Sequence, residues 1–335
     1  MHIGKSYTFS EFLDWTRRDI YILIVLGVVP VVVYEIGQQK WLGIPWTVVA
    51  LLGTATAFIV GFKNLQTYNR TWEARLVWGD IKSSSRSWGT MSRDFFNNPG
   101  KSKELIYRHL AWLTAMRYQM RDTRAWETSG KTHNVEYQRF YSIPERETSL
   151  ESELAKYISH EELKPILATA NRATQIMSLQ SRTIKELFAA QEIVVLQFVD
   201  MQRAIKEFFV QQGRSERIKD FPYPRQFAIM SALFVKLFCL LLPFGLLKEF
   251  DHLNASVDGI MKGSMIWLVI PFSVLISWMY TSLDRVGEST ENPFEGNAND
   301  VPISQMCRAV EIELREMLGE TDLPPMLQPQ NNIIL

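Results

Sequence analysis

The sequence is short of the residues from which most enzyme sites are built. Its two cysteines, Cys239 and Cys307, lie in an apolar run and in the polar C-terminal part, so neither a disulfide framework nor a redox pair is expected. The five histidines, His2, His109, His133, His160 and His252, are scattered, with no HExxH pattern and no neighbouring cysteine pair. No glycine-rich phosphate cradle and no GxSxG turn is present, so no cofactor and no bound metal is expected and enzyme activity has no positive support. Charge of one sign is lacking too. The 36 basic residues balance 36 acidic ones, which removes the bulk attraction that draws proteins to nucleic acid. Internal repeats and low-complexity tracts are absent. The N-terminus, MHIGKSYTFSEFLDWTRRDI, carries acidic residues ahead of the first apolar run and no small-residue cleavage site follows it, so no removable signal peptide is expected.

What the chain has is apolar residues, 47% of the total, gathered into two blocks at about 20–62 and 226–283. Residues 63–225 between them are rich in Arg, Lys, Glu and Gln. The pattern predicts an all-α membrane protein divided into 1–62 (N-terminus and two membrane helices), 63–225 (a soluble helical region), 226–283 (two more membrane helices) and 284–335 (a C-terminal segment). The four expected spans are Ile20–Tyr34, Trp41–Phe62, about Gln226–Leu247 and Gly263–Leu283, all but the short first one near the length a bilayer requires. Basic residues, Arg17, Arg18, Lys63, Arg70 and Arg285 among others, flank the ends that four crossings place on the side of the termini. Only Lys40, Lys248 and Lys262 flank the other side. The positive-inside rule then puts both termini and the middle region in the cytoplasm, with outer loops at 35–40 and 248–262.

The middle reads as helices at three and four residue spacing, broken at NNPG (97–100), Ile143-Pro144, Pro165 and the FPYP of 221–224. The stretch from about Ile166 to Gln212 has almost no breaker and predicts one helix of up to about 40 residues. WETSGKTHNVEYQ (126–138) reads as an exposed loop.

The second apolar run is thin-walled. Gly53, Ala57 and Gly61 form one helical stripe, and Thr54, Phe58 and Phe62 form the next. Small residues four apart let backbones approach closely in lipid. Two readings follow: the stripe packs the helix against its own neighbours, or copies of the helix surround an axis with Thr54, Phe58 and Phe62 facing inward. The run passes into Lys63, Asn64 and Arg70 with no Pro or Gly turn, as a helix leading from a pore into a cytosolic vestibule would.

GFKNLQTYNRTWEARLVWG (61–79), CLLLPFGL (239–246) and ENPFEGNANDVPISQMCRAVE (291–311) resemble the bestrophin family in its prokaryotic branch. The resemblance runs in order over most of the chain. It implies a homopentameric ion channel in a bacterial plasma membrane, with four membrane helices and a helical cytosolic body per subunit, passing small monovalent ions, chloride being the family default and cations an alternative. The family's pore neck, three apolar residues at four-residue spacing on the second membrane helix, falls on Thr54, Phe58 and Phe62. Thr54 departs from it and should make the outer end wetter. A second, cytosolic constriction falls on Leu196, with Val195 close by. Asn292, Pro293 and Phe294 resemble the family's gating loop, with Asp300 following. The acidic run that holds calcium in eukaryotic members is replaced here by Asn297, Ala298, Asn299 and Asp300, too poor in carboxylates for a tight site. The implied partners are small inorganic ions, the lipid membrane and other copies of the chain. The rival reading is a non-conducting membrane scaffold or sensor whose helical body binds a partner.

Two charges remain. Lys236, inside the third span, is expected to pair with an acid or reach an interface rather than bind ions. Lys63 is expected either to bias the inner mouth toward anions or to be a solvated or salt-bridged flank.

Overall fold

The computed structural model describes residues 1–254, 256–257 and 261–335, except for the side chain of His133; part of the expected outer loop 248–262 lies outside them. Among the described residues the chain is all-helical, with isolated bridges joining Ile333 to His2 and to Gln330. In chain order the helices are α1 (Phe9–Glu35), α2 (Trp46–Asp94), α3 (Pro99–Arg121), α4 (Thr132–Tyr137), α5 (Pro144–Glu147), α6 (Leu150–Leu154), α7 (His160–Leu167), α8 (Arg172–Ala189), α9 (Val195–Asp220), α10 (Arg225–Leu253), α11 (Val269–Ser289) and α12 (Ile303–Met317). They form two compact units. One is Lys5–Asn69 with Tyr223–Glu291; the other is Met1–Gly4, Arg70–Pro222 and Asn292–Leu335.

In the first unit, α1 starts on a capping box: Thr8 Oγ1 accepts from Glu11 N, and the Glu11 carboxylate accepts from Thr8 N. Among the described residues three helical stretches, α2, α10 and Met265–Ser289, are long and apolar enough to cross a membrane. Arg18, Asp19 and Glu35 leave the uncharged run of α1 too short to join them. The helices meet through small side chains: a Cβ added at Gly245 on α10 would fall 2.7 Å from Val49 Cγ2 on α2. The expected start of the second span needs correction. Lys40–Leu42 forms a separate 3-10 turn, and α2 begins at Trp46, directly after Pro45, which has no N–H to extend the helix backward.

The second unit hides its large residues. Trp88, Trp112 and Phe208 enclose His109, whose ring lies 4.6 Å from that of Phe208 and whose Nε2 is 2.9 Å from Ser85 Oγ. Complete burial holds this imidazole down at about 3, so it is neutral. At the expected break NNPG, α2 ends and α3 begins, with Asn98 Oδ1 capping α3 by accepting from Gly100 N and Lys101 N and Pro99 in the first turn.

The single helix expected over 166–212 is divided: Ile166 and Leu167 end α7, and α8 begins only at Arg172. Α8 ends at Ala189, Gln191 takes a left-handed conformation (φ 60°), and α9 begins at Val195. No Gly or Pro marks this turn; tertiary contacts impose it. Ile193 is buried, Phe188 stacks on Phe198 at 4.8 Å across the turn, and Ser181 Oγ donates to Gln202 Oε1 at 3.0 Å. The loop expected over 126–138 contains α4 and is tied down at Thr128 and Asn134, both buried.

Candidate neck and loop

The neck candidates sit on one side of α2. Phe58 is 78% exposed and Phe62 44%, and Thr54 is exposed as well. Phe62 is steadied from within the chain by Phe227 on α10, ring centroids 6.0 Å apart. Thr54 Oγ1 donates to Ala50 O at 2.9 Å, the back-bond open to a helical threonine. The exposed apolar row does not stop at the charged end of the run, since Leu51 precedes it and Leu65, Tyr68, Trp72 and Leu76 continue it.

The small stripe divides. Gly53 is buried within the chain, where an added Cβ would fall 2.7 Å from Phe238 Cε2 and its carbonyl accepts from Tyr280 Oη at 3.1 Å. Ala57 and Gly61 are exposed, and the space around Gly61 is open. At Gly53, therefore, the stripe packs α2 against its own neighbours in the chain.

Lys63 does not face out. It is 4% exposed, and its Nζ lies 2.8 Å from Asp284 Oδ1, which also accepts from Ser231 Oγ at 2.7 Å. Asn64 Nδ2 beside it donates to Leu283 O at 3.0 Å. Α2 is thus locked to α11 at Phe62's own turn. Lys236 lies exposed on α10, close enough to Asp19 to act on it electrostatically. Leu196 and Val195 open α9 at 73% and 58% exposure, outside the core that an aliphatic residue usually joins.

The segment 292–300 is anchored. Asn292, Pro293, Phe294 and Asp300 are all buried, and Phe294 packs on Trp78 with centroids 6.2 Å apart. Arg121 Nη1 donates to Phe294 O at 2.9 Å and lies 3.9 Å from Asp300 Oδ2, while Asp300 Oδ2 accepts from Gly296 N and Asn297 N at 2.7 and 3.0 Å. Glu295 accepts from Thr128 N and Thr128 Oγ1 at 2.7 and 2.6 Å, and from the Asn297 amide. Burial, with the Asp300 carboxylate adding to it, pushes Glu295 up to about 8; burial likewise raises Asp300 to about 6 against the pull of Arg121. Sequence reasoning missed Arg121, Thr128 and Glu295 as anchors of this segment. Nothing local marks Arg121 and Thr128, which lie far from 292–300 along the chain, and Glu295, within the segment, takes its role from Thr128. No group of three or more His, Cys, Asp or Glu suited to a metal occurs among the described residues.

Comparison with known proteins agrees with this architecture. The family model described as "Bacterial/Fungal Bestrophin protein" matches residues 17–316. The voltage-dependent anion channel-forming protein YneE of Escherichia coli K12 is 25% identical over 303 residues, 90% of this chain and 86% of that protein. The similarly named protein mll4386 of Mesorhizobium japonicum is 25% identical over 279 residues, covering 83% and 76%. The crystal structure of a bacterial bestrophin homolog from Klebsiella pneumoniae superposes with a TM-score of 0.75 at 23% identity, over 92% of this chain and 99% of that one. That likeness speaks for the fold. The match over residues 17–316 speaks for descent: this chain is a membrane protein of the bacterial and fungal bestrophin family.

Proposed function

We propose that this chain forms a homopentameric channel with four membrane helices per subunit, both termini on the cytoplasmic side of a bacterial plasma membrane, through which small monovalent ions pass passively. Thr54, Phe58 and Phe62 line its neck, and a ring at Leu196 forms a second constriction. The observation that carries this reading is the exposed row on α2. Leu51, Phe58 and Phe62 would suit lipid, but Leu65, Tyr68, Trp72 and Leu76 continue the row past the end of the uncharged run, where hydrocarbon no longer covers a helix. Another copy of the chain accounts for the whole row. Phenylalanine rings gate by excluding water while leaving room for hydrated ions when slightly wider. The relatives are named for anions, which makes chloride the first ion to test.

Ion flux from the purified protein in liposomes tests the reading. Phe58→Ala should raise conductance, and Phe62→Ala should raise it less cleanly because it also removes the ring on Phe227. Parent-like flux in assembled variants would make these residues packing, and a stable monomer by native mass would remove the pore. Flux should also ignore micromolar calcium, since Asp300 and Glu295 are already committed to protein donors. A strong chelator followed by added calcium checks this, and a large reversible activation that vanishes in Asp300→Ala overturns it.

A further inference from the structure

An uncharged ring can still choose the sign of an ion if its polar atoms present only one end of a dipole. In the row Thr54, Phe58, Phe62, the hydroxyl of Thr54 is the one side-chain polar group. Its Oγ1 stands 2.9 Å from Ala50 O. A carbonyl oxygen only accepts, so the hydroxyl proton is spent on the helix backbone. What Thr54 presents outward is the lone pairs of Oγ1 beside a methyl group. A partly dehydrated cation, or the proton of a water, finds a ligand there; an anion meets another acceptor and gains nothing unless the back-bond is broken.

Near Thr54, α2 itself offers no positive charge to offset this. The uncharged stretch of α2 from Trp46 to Phe62 contributes none. The first cation after it, Lys63, is buried, with its Nζ 2.8 Å from Asp284 Oδ1 and 3.2 Å from Asp284 O. That carboxylate takes a further proton donor from Ser231, so the lysine charge is neutralised inside the subunit rather than offered to a permeating anion.

We propose that Thr54 is a specificity-determining residue for permeation, its ring presenting acceptor oxygens alone and favouring small monovalent cations over anions at the outer end of the neck. This rests on the reading in which Thr54, Phe58 and Phe62 line the lumen. It runs against the preference implied by the relatives' names, which makes the sign of the effect informative.

The test uses the full chain in planar bilayers under asymmetric NaCl, with reversal potential giving the cation-to-anion permeability ratio. Thr54→Val keeps the shape and removes the oxygen, and should lower that ratio about fivefold, the size of one net hydrogen bond. Thr54→Ser keeps the hydroxyl and should leave it near the parent value. Where Thr54→Val dries the ring and stops conduction, Thr54→Cys, whose thiol is a weak acceptor, carries the same measurement. Thr54→Cys also separates the two levels of the argument through block by a water-soluble thiosulfonate, and the background should be low because Cys239 and Cys307 are buried. Block together with an unchanged ratio in Thr54→Val overturns the acceptor ring while keeping the neck. A conducting Thr54→Cys channel that the reagent never blocks overturns the neck placement itself.

Discussion

The two units of this chain solve burial in opposite ways. Lys5–Asn69 with Tyr223–Glu291 hides small and hydroxylated residues, among them Gly27, Gly53, Thr56, Ser231, Ser273 and Ser277, and exposes Phe58, Leu51, Ile229, Leu233 and Leu275. Arg70–Pro222 with the two terminal segments hides Trp78, Trp88, Trp112 and Phe208, and encloses paired charges such as Arg117, Arg121, Glu145 and Asp300 beside them. The first pattern suits a surrounding as apolar as the side chains themselves, where close backbone approach replaces the hydrophobic effect as the source of cohesion. The second is the ordinary response to water. Among the described residues each unit buries a lysine–carboxylate pair, Lys63–Asp284 in one and Lys219–Glu127 in the other.

Those pairs give the sharpest way to set the units against each other. Lys219→Met should cost about 3–5 kcal/mol, because it strands Glu127 in a dry site that also holds Glu295. Lys63→Met should cost less, since Asp284 keeps the Ser231 hydroxyl and is partly exposed. Thermal unfolding of the detergent-solubilised protein, followed by tryptophan fluorescence, measures both; equal losses would mean that the two units bury charge alike.

The next effect belongs to the water-facing unit alone. The folded chain holds the Glu295 proton up to about 8, whereas the unfolded chain releases it near the ordinary value of 4.5. Between those values the folded state binds more protons than the unfolded one, so this group makes stability fall as pH rises, with no further loss above about 8. Glu295→Gln should flatten that decline in melting curves taken across the interval, even though one hydrogen bond to Thr128 is lost. A slope identical to the parent's would show Glu295 to be ionised throughout.

Smallest is a pair of glycine substitutions. Gly53→Ala drives a methyl into Phe238 and should destabilise by about 1–3 kcal/mol, whereas Gly79→Ala meets open space within its helix and should stabilise by about 0.5–1 kcal/mol. The same melts read both, and a shared sign would undo the contrast in packing.

Much of this was legible in the sequence because it is local. Uncharged runs long enough for a membrane, the breaker NNPG at 97–100, and the motifs at 61–79 and 291–311 each lie within a few turns of chain. What was not legible depended on partners far away. The turn between α8 and α9 has no breaker and exists because Phe188 meets Phe198 and Ile193 is buried. The fate of Lys63 was set by Asp284, and that of Gly53 by Phe238 and Tyr280, all on later helices. Of the candidate site, the shared exposed face of Thr54, Phe58 and Phe62 on α2 could be read from spacing. The anchors of 292–300 could not, because a buried Arg121 looks in sequence like any other arginine.

The row on α2 has a geometric consequence. Leu51, Phe58, Leu65 and Trp72 recur every seven residues, and seven residues fall about 20° short of two full turns of an ideal helix. From Leu51 to Trp72 the shortfall accumulates to about 60°. Helices that stay in touch along such a row wind around one another with a left-handed sense, and their phase is counted in residues rather than in ångströms. A substitution along α2 alters one rung, but one inserted or deleted residue turns everything beyond it by about 100°. Between Leu51 and Trp72, chain length is the more tightly constrained property.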